Sequence, residues 1–132
     1  MPPINKPSSG HYDLEDRTLA YARRVRTFIK KVPPSVGHIE DCKQVVRSSG
    51  SVGANYIEAN ESLGKKDFLM RIRMCRKEAK ESRFWLNLLQ VEGNAELAAE
   101  CKLLIQESLE LTRIFGAILT RCEEREKINP KS

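Results

Sequence analysis

Turn-forming residues are scarce. The 132 residues contain 7 glycines and 6 prolines, and three of the prolines fall within the first seven positions. A many-turned all-β fold is excluded on that count. Aromatic residues make up only 6%, and base-stacking platforms like those of single-strand binders are not evident. There are two histidines, His11 and His38, and four cysteines, Cys42, Cys75, Cys101 and Cys122, with no C-x-x-C pair among them. No metal site and no cofactor are therefore expected. Nothing approaches about 18 consecutive apolar residues, and no apolar run resembles a signal peptide, so no membrane segment is expected. Nor does one sign of charge dominate. Lys and Arg total 23 against 18 Asp and Glu, a net charge of +5 that permits an anionic partner without demanding one.

What is present is helical periodicity throughout. Hydrophobic residues make up 40% and charged residues 31%, a balance that fits one soluble globular domain. Residues 1–12 read as a disordered Pro/Ser-rich leader, 13–127 as the folded domain and 128–132 as a frayed tail. Asp13 can cap a first helix over about 14–31, with Leu19, Ala22, Val25, Phe28 and Ile29 as its apolar face and Pro33-Pro34 as its stop. A second helix spans about 39–62, with Cys42, Val45, Val46, Ser49, Val52, Tyr56 and Ile57 in phase. Propensity alone would place a loop at 48–53, but the apolar phase is the same on both sides. Gly50, Gly53 and Ala54 then form a patch that another helix can approach closely.

Gly64 breaks the chain, and a third helix with Asp67 in its first turn ends near Gln90. Its main stripe is Phe68, Leu69, Ile72, Cys75, Ala79, Leu86 and Leu89. A second stripe, Met70, Met74, Trp85 and Leu88, suggests burial against another subunit, since a helix in a lone bundle needs one apolar face. Gly93-Asn94 precedes a fourth helix over about 95–127. There Leu97, Cys101, Leu104, Ser108, Leu111, Phe115, Ile118 and Cys122 alternate steps of four and three, a heptad seam. The expected fold is all-α, an up-down-up-down four-helix bundle, oligomeric. The cysteines read as four reduced, buried thiols in a cytoplasmic protein.

Charge is uneven along the chain. Residues 14–32 hold six basic against two acidic, and 65–90 hold eight against three. The second and fourth helices are each net acidic. Arg23, Arg26 and Lys30 share one side of the first helix, and Arg17, Arg24 and Lys31 recur every seven residues on another. Lys66, Arg73, Lys77 and Lys80 share a side of the third. Such rows can track phosphates, with strong salt dependence and little sequence specificity. They can equally be solvated faces. The first and third helices are diagonal in a simple bundle, so one continuous basic surface requires an oligomer.

Catalytic residues are not expected. Glu58, Glu78 and Glu81 are the candidate carboxylates, but no nucleophile–base set accompanies them. Glu81, beside Glu78, falls within the second stripe of the third helix and needs a partner if buried, for which Arg47 is suited. Ser48, Ser51, Asn55 and Glu58 form a polar row along one edge of the second helix.

The run from Arg47 through Ser48, Ser49, Gly50, Ser51, Val52, Gly53, Ala54, Asn55, Tyr56, Ile57, Glu58 and Ala59 to Asn60 resembles the signature of a bacterial four-helix-bundle family. That family is called the intervening-sequence proteins, after members encoded within insertions in large-subunit ribosomal RNA genes. Tyr12-Asp13-Leu14, Asp67-Phe68, the segment Lys77-Glu78-Ala79-Lys80-Glu81 and Trp85-Leu86 resemble it too. The resemblance implies a four-helix bundle assembled as a ring-like homopentamer, without known enzymatic activity. It also implies kinship with the accessory variability determinant of diversity-generating retroelements, a basic pentamer that binds nucleic acid and a reverse transcriptase. Arg47, Ser48, Ser49, Asn55, Glu58, Glu78 and Glu81 match the motif, and its polar positions read as packing and assembly determinants.

The expected function is thus a non-enzymatic oligomer that binds RNA or DNA backbones through the rows on the first and third helices. The alternative is a scaffold that recruits another protein and has no nucleic-acid role, suggested by the double-faced third helix and the long fourth. The expected partners are copies of itself, RNA or DNA, or another protein, with no membrane.

Overall fold

The computed structural model describes residues 13–128. The expected leader lies outside the described residues, as does the expected tail beyond Ile128. Four helices follow one another: α1 (Leu14–Ile29), α2 (Val36–Asn60), α3 (Lys65–Leu88) and α4 (Ala95–Ile128). No described helix is long and apolar enough to cross a membrane.

Local chemistry sets the ends. The Asp13 carboxylate accepts from the amides of Glu15 and Asp16, satisfying donors that the first turn leaves open. Ser35 caps α2 by accepting from the His38 amide at 3.0 Å, so α2 begins three residues before the expected Ile39. His38 therefore stands in the first turn of α2. Asn94 caps α4, accepting from the Leu97 amide at 3.0 Å. Gly64 starts α3 in extended conformation without a side-chain cap.

Neighbouring helices run antiparallel. Arg17 meets Glu107 and Arg24 meets Glu100 across α1 and α4. Ser48 meets Ser82 and Asn55 meets Arg71 across α2 and α3. Lys65 meets Glu126 across α3 and α4, and Asn60 meets Glu15 across α2 and α1. Each helix touches its two sequence neighbours, with α4 closing on α1, while α1 and α3 are diagonal. This is the expected up-down-up-down bundle.

The core draws a layer from every helix. Tyr21, Val25 and Phe28 of α1 pack with Val45 and Val52 of α2, Ile72, Cys75 and Leu86 of α3, and Leu104, Leu111 and Phe115 of α4. The heptad seam of α4 is buried from Leu97 through Phe115, and Ile118 and Cys122 are half-buried. Helix α2 is continuous through 48–53, as its phase requires. Gly53 lies where α1 approaches α2 closely, since an added Cβ there would be 2.9 Å from Thr18 Oγ1.

Three expectations need correction. The core face of α1 is Leu14, Thr18, Tyr21, Val25 and Phe28, whereas Leu19 is 49% exposed and Ala22 and Ile29 are half-buried. The helix carries two apolar ridges about 80° apart, and the bulkier aromatic ridge fills the centre. On α2 the corresponding turn buries Ser48 and Asn55 and leaves Ile57 half exposed. Of the cysteines only Cys75 and Cys101 are buried; Cys42 and Cys122 are half-buried, and all four are free thiols.

Candidate nucleic-acid interface

The two basic rows of α1 have different fates. The row at Arg17 and Arg24 faces α4. Arg17 binds Glu107 at 2.6 and 2.7 Å and Glu110 at 2.8 Å, and Arg24 lies 3.6 Å from Glu100. The Glu110 carboxyl is held below its usual range by hydrogen bonds from Gln106 and Arg17. The net charges of α1 and α4, opposite in sign, thus cancel across one seam. The other row, Arg23, Arg26 and Lys30, is exposed on the flank of α1 toward α2. Arg26 lies back on the bundle, donating to the carbonyls of Ala22 at 3.2 Å and Val46 at 3.5 Å.

On α3, Lys66, Arg73, Lys77 and Lys80 are all exposed. Arg73 approaches Glu123 only to 3.8 Å, and both side chains are more than half exposed, a pairing that contributes little. Lys66, Lys77 and Lys80 make no ion pair among the described residues. From Lys66 to Lys80 the row spans roughly 21 Å of helix. The rows of α1 and α3 do not merge, because these helices are diagonal.

Beside that row, toward α2, lies the second apolar stripe of α3. Met70 and Leu88 are each 45% exposed, while Met74 and Trp85 are half-buried. Phe84, which the sequence reading passed over, is exposed among the cations and meets Trp85 edge to face, with ring centroids 5.1 Å apart. Helix α3 is apolar on two sides, as expected.

The polar motif joins α2 to α3. Arg47 pairs with Glu78 at 3.3 Å and Glu81 at 3.1 Å, the partnership expected from the sequence. Glu78 is buried; its carboxylate is matched by a half-exposed guanidinium. Ser82 donates to Ser48 at 2.9 Å, and Arg71 donates to the Asn55 carbonyl oxygen at 3.1 Å. Ser49 bonds back to the Val46 carbonyl. Glu58 is exposed near the far end of α2, eleven residues past Arg47, and is not brought to Glu78 and Glu81. The motif positions from Arg47 to Asn55 therefore fix the register of one helix pair.

Two arrangements were not legible beforehand. The Tyr21 phenol reaches the bundle centre toward Ser82 and Ser108 without a hydrogen bond of ordinary geometry, and burial pushes its pKa up to about 12. His38 uses both ring nitrogens. Nδ1 lies 2.7 Å from the Pro33 carbonyl oxygen, and Nε2 lies 3.2 Å from the Gln90 amide nitrogen. A carbonyl can only accept and an amide N–H can only donate, so the proton sits on Nδ1.

The family model for 23S rRNA-intervening sequence proteins matches residues 13–117. A crystal structure of a protein of unknown function from the S23 ribosomal protein family of Bacteroides thetaiotaomicron superposes with a TM-score of 0.69 at 26% identity. The match covers 81% of this chain and 98% of that one. No curated protein matches the chain.

Proposed function

The chain belongs to the 23S rRNA-intervening sequence protein family, and on that premise we propose a non-enzymatic, self-associating cytoplasmic bundle that holds RNA or DNA by its phosphates. The carrying observation is the α3 row. Lys66, Lys77 and Lys80 are exposed and unmatched, while Arg17 and Arg24 of α1 are held by carboxylates of α4. Uncommitted cations along one helix release counterions when they meet a polyanion, and that release drives binding.

Self-association joins copies through Met70, Met74, Trp85 and Leu88, in a ring of five as the family resemblance implies. The ring brings Arg23, Arg26 and Lys30 of one protomer near the α3 row of another. The half exposure of Met70 and Leu88 supports this seam.

Titrating salt against binding of a short duplex tests the reading. Four phosphate contacts give a log–log slope of about −3.6, and Lys77→Glu with Lys80→Glu should flatten it by about 2. No binding at low salt, or an unchanged slope in the double variant, rejects nucleic-acid binding through α3. For the seam, Met70→Asp with Leu88→Asp should reduce the sedimenting species to a single chain; an unchanged mass moves the seam elsewhere.

A further inference from the structure

The exposed cations of α3 end on an aromatic ring. Lys66, Arg73, Lys77, Lys80 and Phe84 follow one another in steps of seven, four, three and four. That spacing places them within an arc of about 60° on one face of the helix. The face points away from the core, which takes Ile72, Cys75, Ala79 and Leu86. We infer that Phe84 stacks on an unpaired base, so that the α3 row takes a single strand of RNA or DNA in preference to a duplex. The inference rests on the proposed function and names the form of nucleic acid that the same row would take.

Three observations carry it. The first is position. The four-residue step from Lys80 to Phe84 is about 6 Å along the helix, comparable to one nucleotide of an extended strand. A strand whose phosphates follow the row therefore brings a base over the ring. A duplex keeps its bases paired inside, and only its phosphates reach the row. The second is the ring itself. Phe84 is 57% exposed, and its contact with Trp85 is edge to face, with centroids 5.1 Å apart and planes at 78°. Such a contact occupies at most one face of Phe84 and leaves the other for a base.

The third observation is charge. The α3 carboxylates Glu78 and Glu81 lie on the flank toward α2, where Arg47 holds both. No carboxylate of α3 shares the arc of the row. Charge also separates the ring from the seam between copies. Met70, Met74, Trp85 and Leu88 stand about 40–100° around the helix from Phe84, toward α2. The neighbouring protomer of the proposed ring brings Arg23, Arg26 and Lys30 to this side, so a seam spread over Phe84 would press like charges together.

The test uses the full chain and three fluorescein-labelled DNAs of about ten nucleotides, long enough to pass the 27 Å or so from Lys66 to Phe84. One is a single strand, the second its duplex, and the third a strand of abasic sites with the same phosphates. Fluorescence anisotropy reads binding. At physiological salt the single strand should bind about tenfold more tightly than the other two. Phe84→Leu, which keeps the side chain apolar, should weaken the single strand about tenfold and leave the others unchanged, and Phe84→Trp should retain the preference. The log–log salt slope for the single strand, about −2.8 for four phosphate contacts, should be the same in Phe84→Leu, because the ring carries no charge. Lys77→Glu with Lys80→Glu should flatten it by about 1.4.

Equal affinity for the three DNAs, a preference for the duplex, or a single strand that Phe84→Leu does not weaken overturns the inference and leaves phosphate binding by α3 standing. A fall in sedimenting mass for Phe84→Ser assigns the ring to the seam and overturns it too. So does pelleting with phosphatidylserine vesicles that Phe84→Leu abolishes, which gives the ring to a lipid surface. Binding of none of the three DNAs at low salt defeats the proposed function, and the inference with it.

Discussion

Replacing Gly53 with Ala probes the close approach of α1 to α2. The added Cβ would lie 2.9 Å from Thr18 Oγ1 and 3.2 Å from Thr18 Cβ. Thr18 cannot turn away cheaply. It is buried, β-branched, and holds the Leu14 carbonyl at 2.8 Å. The helices must part by a few tenths of an ångström, and overpacking of this kind costs about 1–3 kcal/mol. Helix propensity returns about 1 kcal/mol for Gly→Ala, leaving a net loss of about 1 kcal/mol.

Gly50 supplies the control one turn earlier. There the new Cβ would meet only the flexible tip of Arg26, at 3.4 Å. Gly50→Ala should therefore gain about 1 kcal/mol, putting the two variants about 2 kcal/mol apart. Urea unfolding followed by far-UV circular dichroism, repeated across protein concentrations to separate assembly from folding, measures the difference. Adding Thr18→Ala should relieve the cost of Gly53→Ala, and the double-mutant cycle isolates that coupling. If Gly53→Ala proves as stable as Gly50→Ala, the close approach of α1 to α2 is wrong.

Further outcomes follow from the interior. Tyr21→Phe removes a buried hydroxyl without a geometric partner, so stability at neutral pH should hold or rise by up to about 1 kcal/mol; a loss above that refutes the assignment. The native phenol, raised to about 12, sits above its unfolded value near 10, so its contribution is complete below pH 10 and disappears as pH climbs through 12. Wild-type chemical stability should fall about 3 kcal/mol more than that of Tyr21→Phe across that interval. Arg47→Ala leaves buried Glu78 without its counter-charge and should cost about 1–2 kcal/mol, discounted because the guanidinium is half exposed; Glu81→Ala should cost far less, and equal losses would contradict the burial difference. Alkylation mapped by mass spectrometry should label Cys42 and Cys122 in the native protein, with Cys75 and Cys101, whose thiols burial raises to about 12 and 11, labelled only on unfolding.

The helices and their order were legible because periodicity and caps are local properties. Asp13, Pro33 and Gly64 mark boundaries through their own backbone chemistry, and the seam of α4 from Leu97 to Phe115 has one phase. Helix α1 was harder, because its two ridges both satisfy the helical period. Only packing against three other helices selects Tyr21 over Leu19. The Arg47 partnership was readable because a carboxylate within an apolar stripe needs a counter-charge. The fate of Arg17 was not, since Glu107 lies ninety residues away along the chain and nothing in local spacing singles it out. The unmatched state of Lys66, Lys77 and Lys80 was hidden for the same reason: charge rows are visible in sequence, but their neutralisation is a property of the assembled bundle.

The imidazole of His38 belongs to the α1–α2 connection by one nitrogen and to the α3–α4 connection by the other. It acts as a rivet through two straps. Each connection gives up its own bond to the shared ring when it lifts, so His38→Ala should speed deuterium exchange at the Gln90 amide. One imidazole thus ties two connections at the same end of the bundle, and its removal should loosen both.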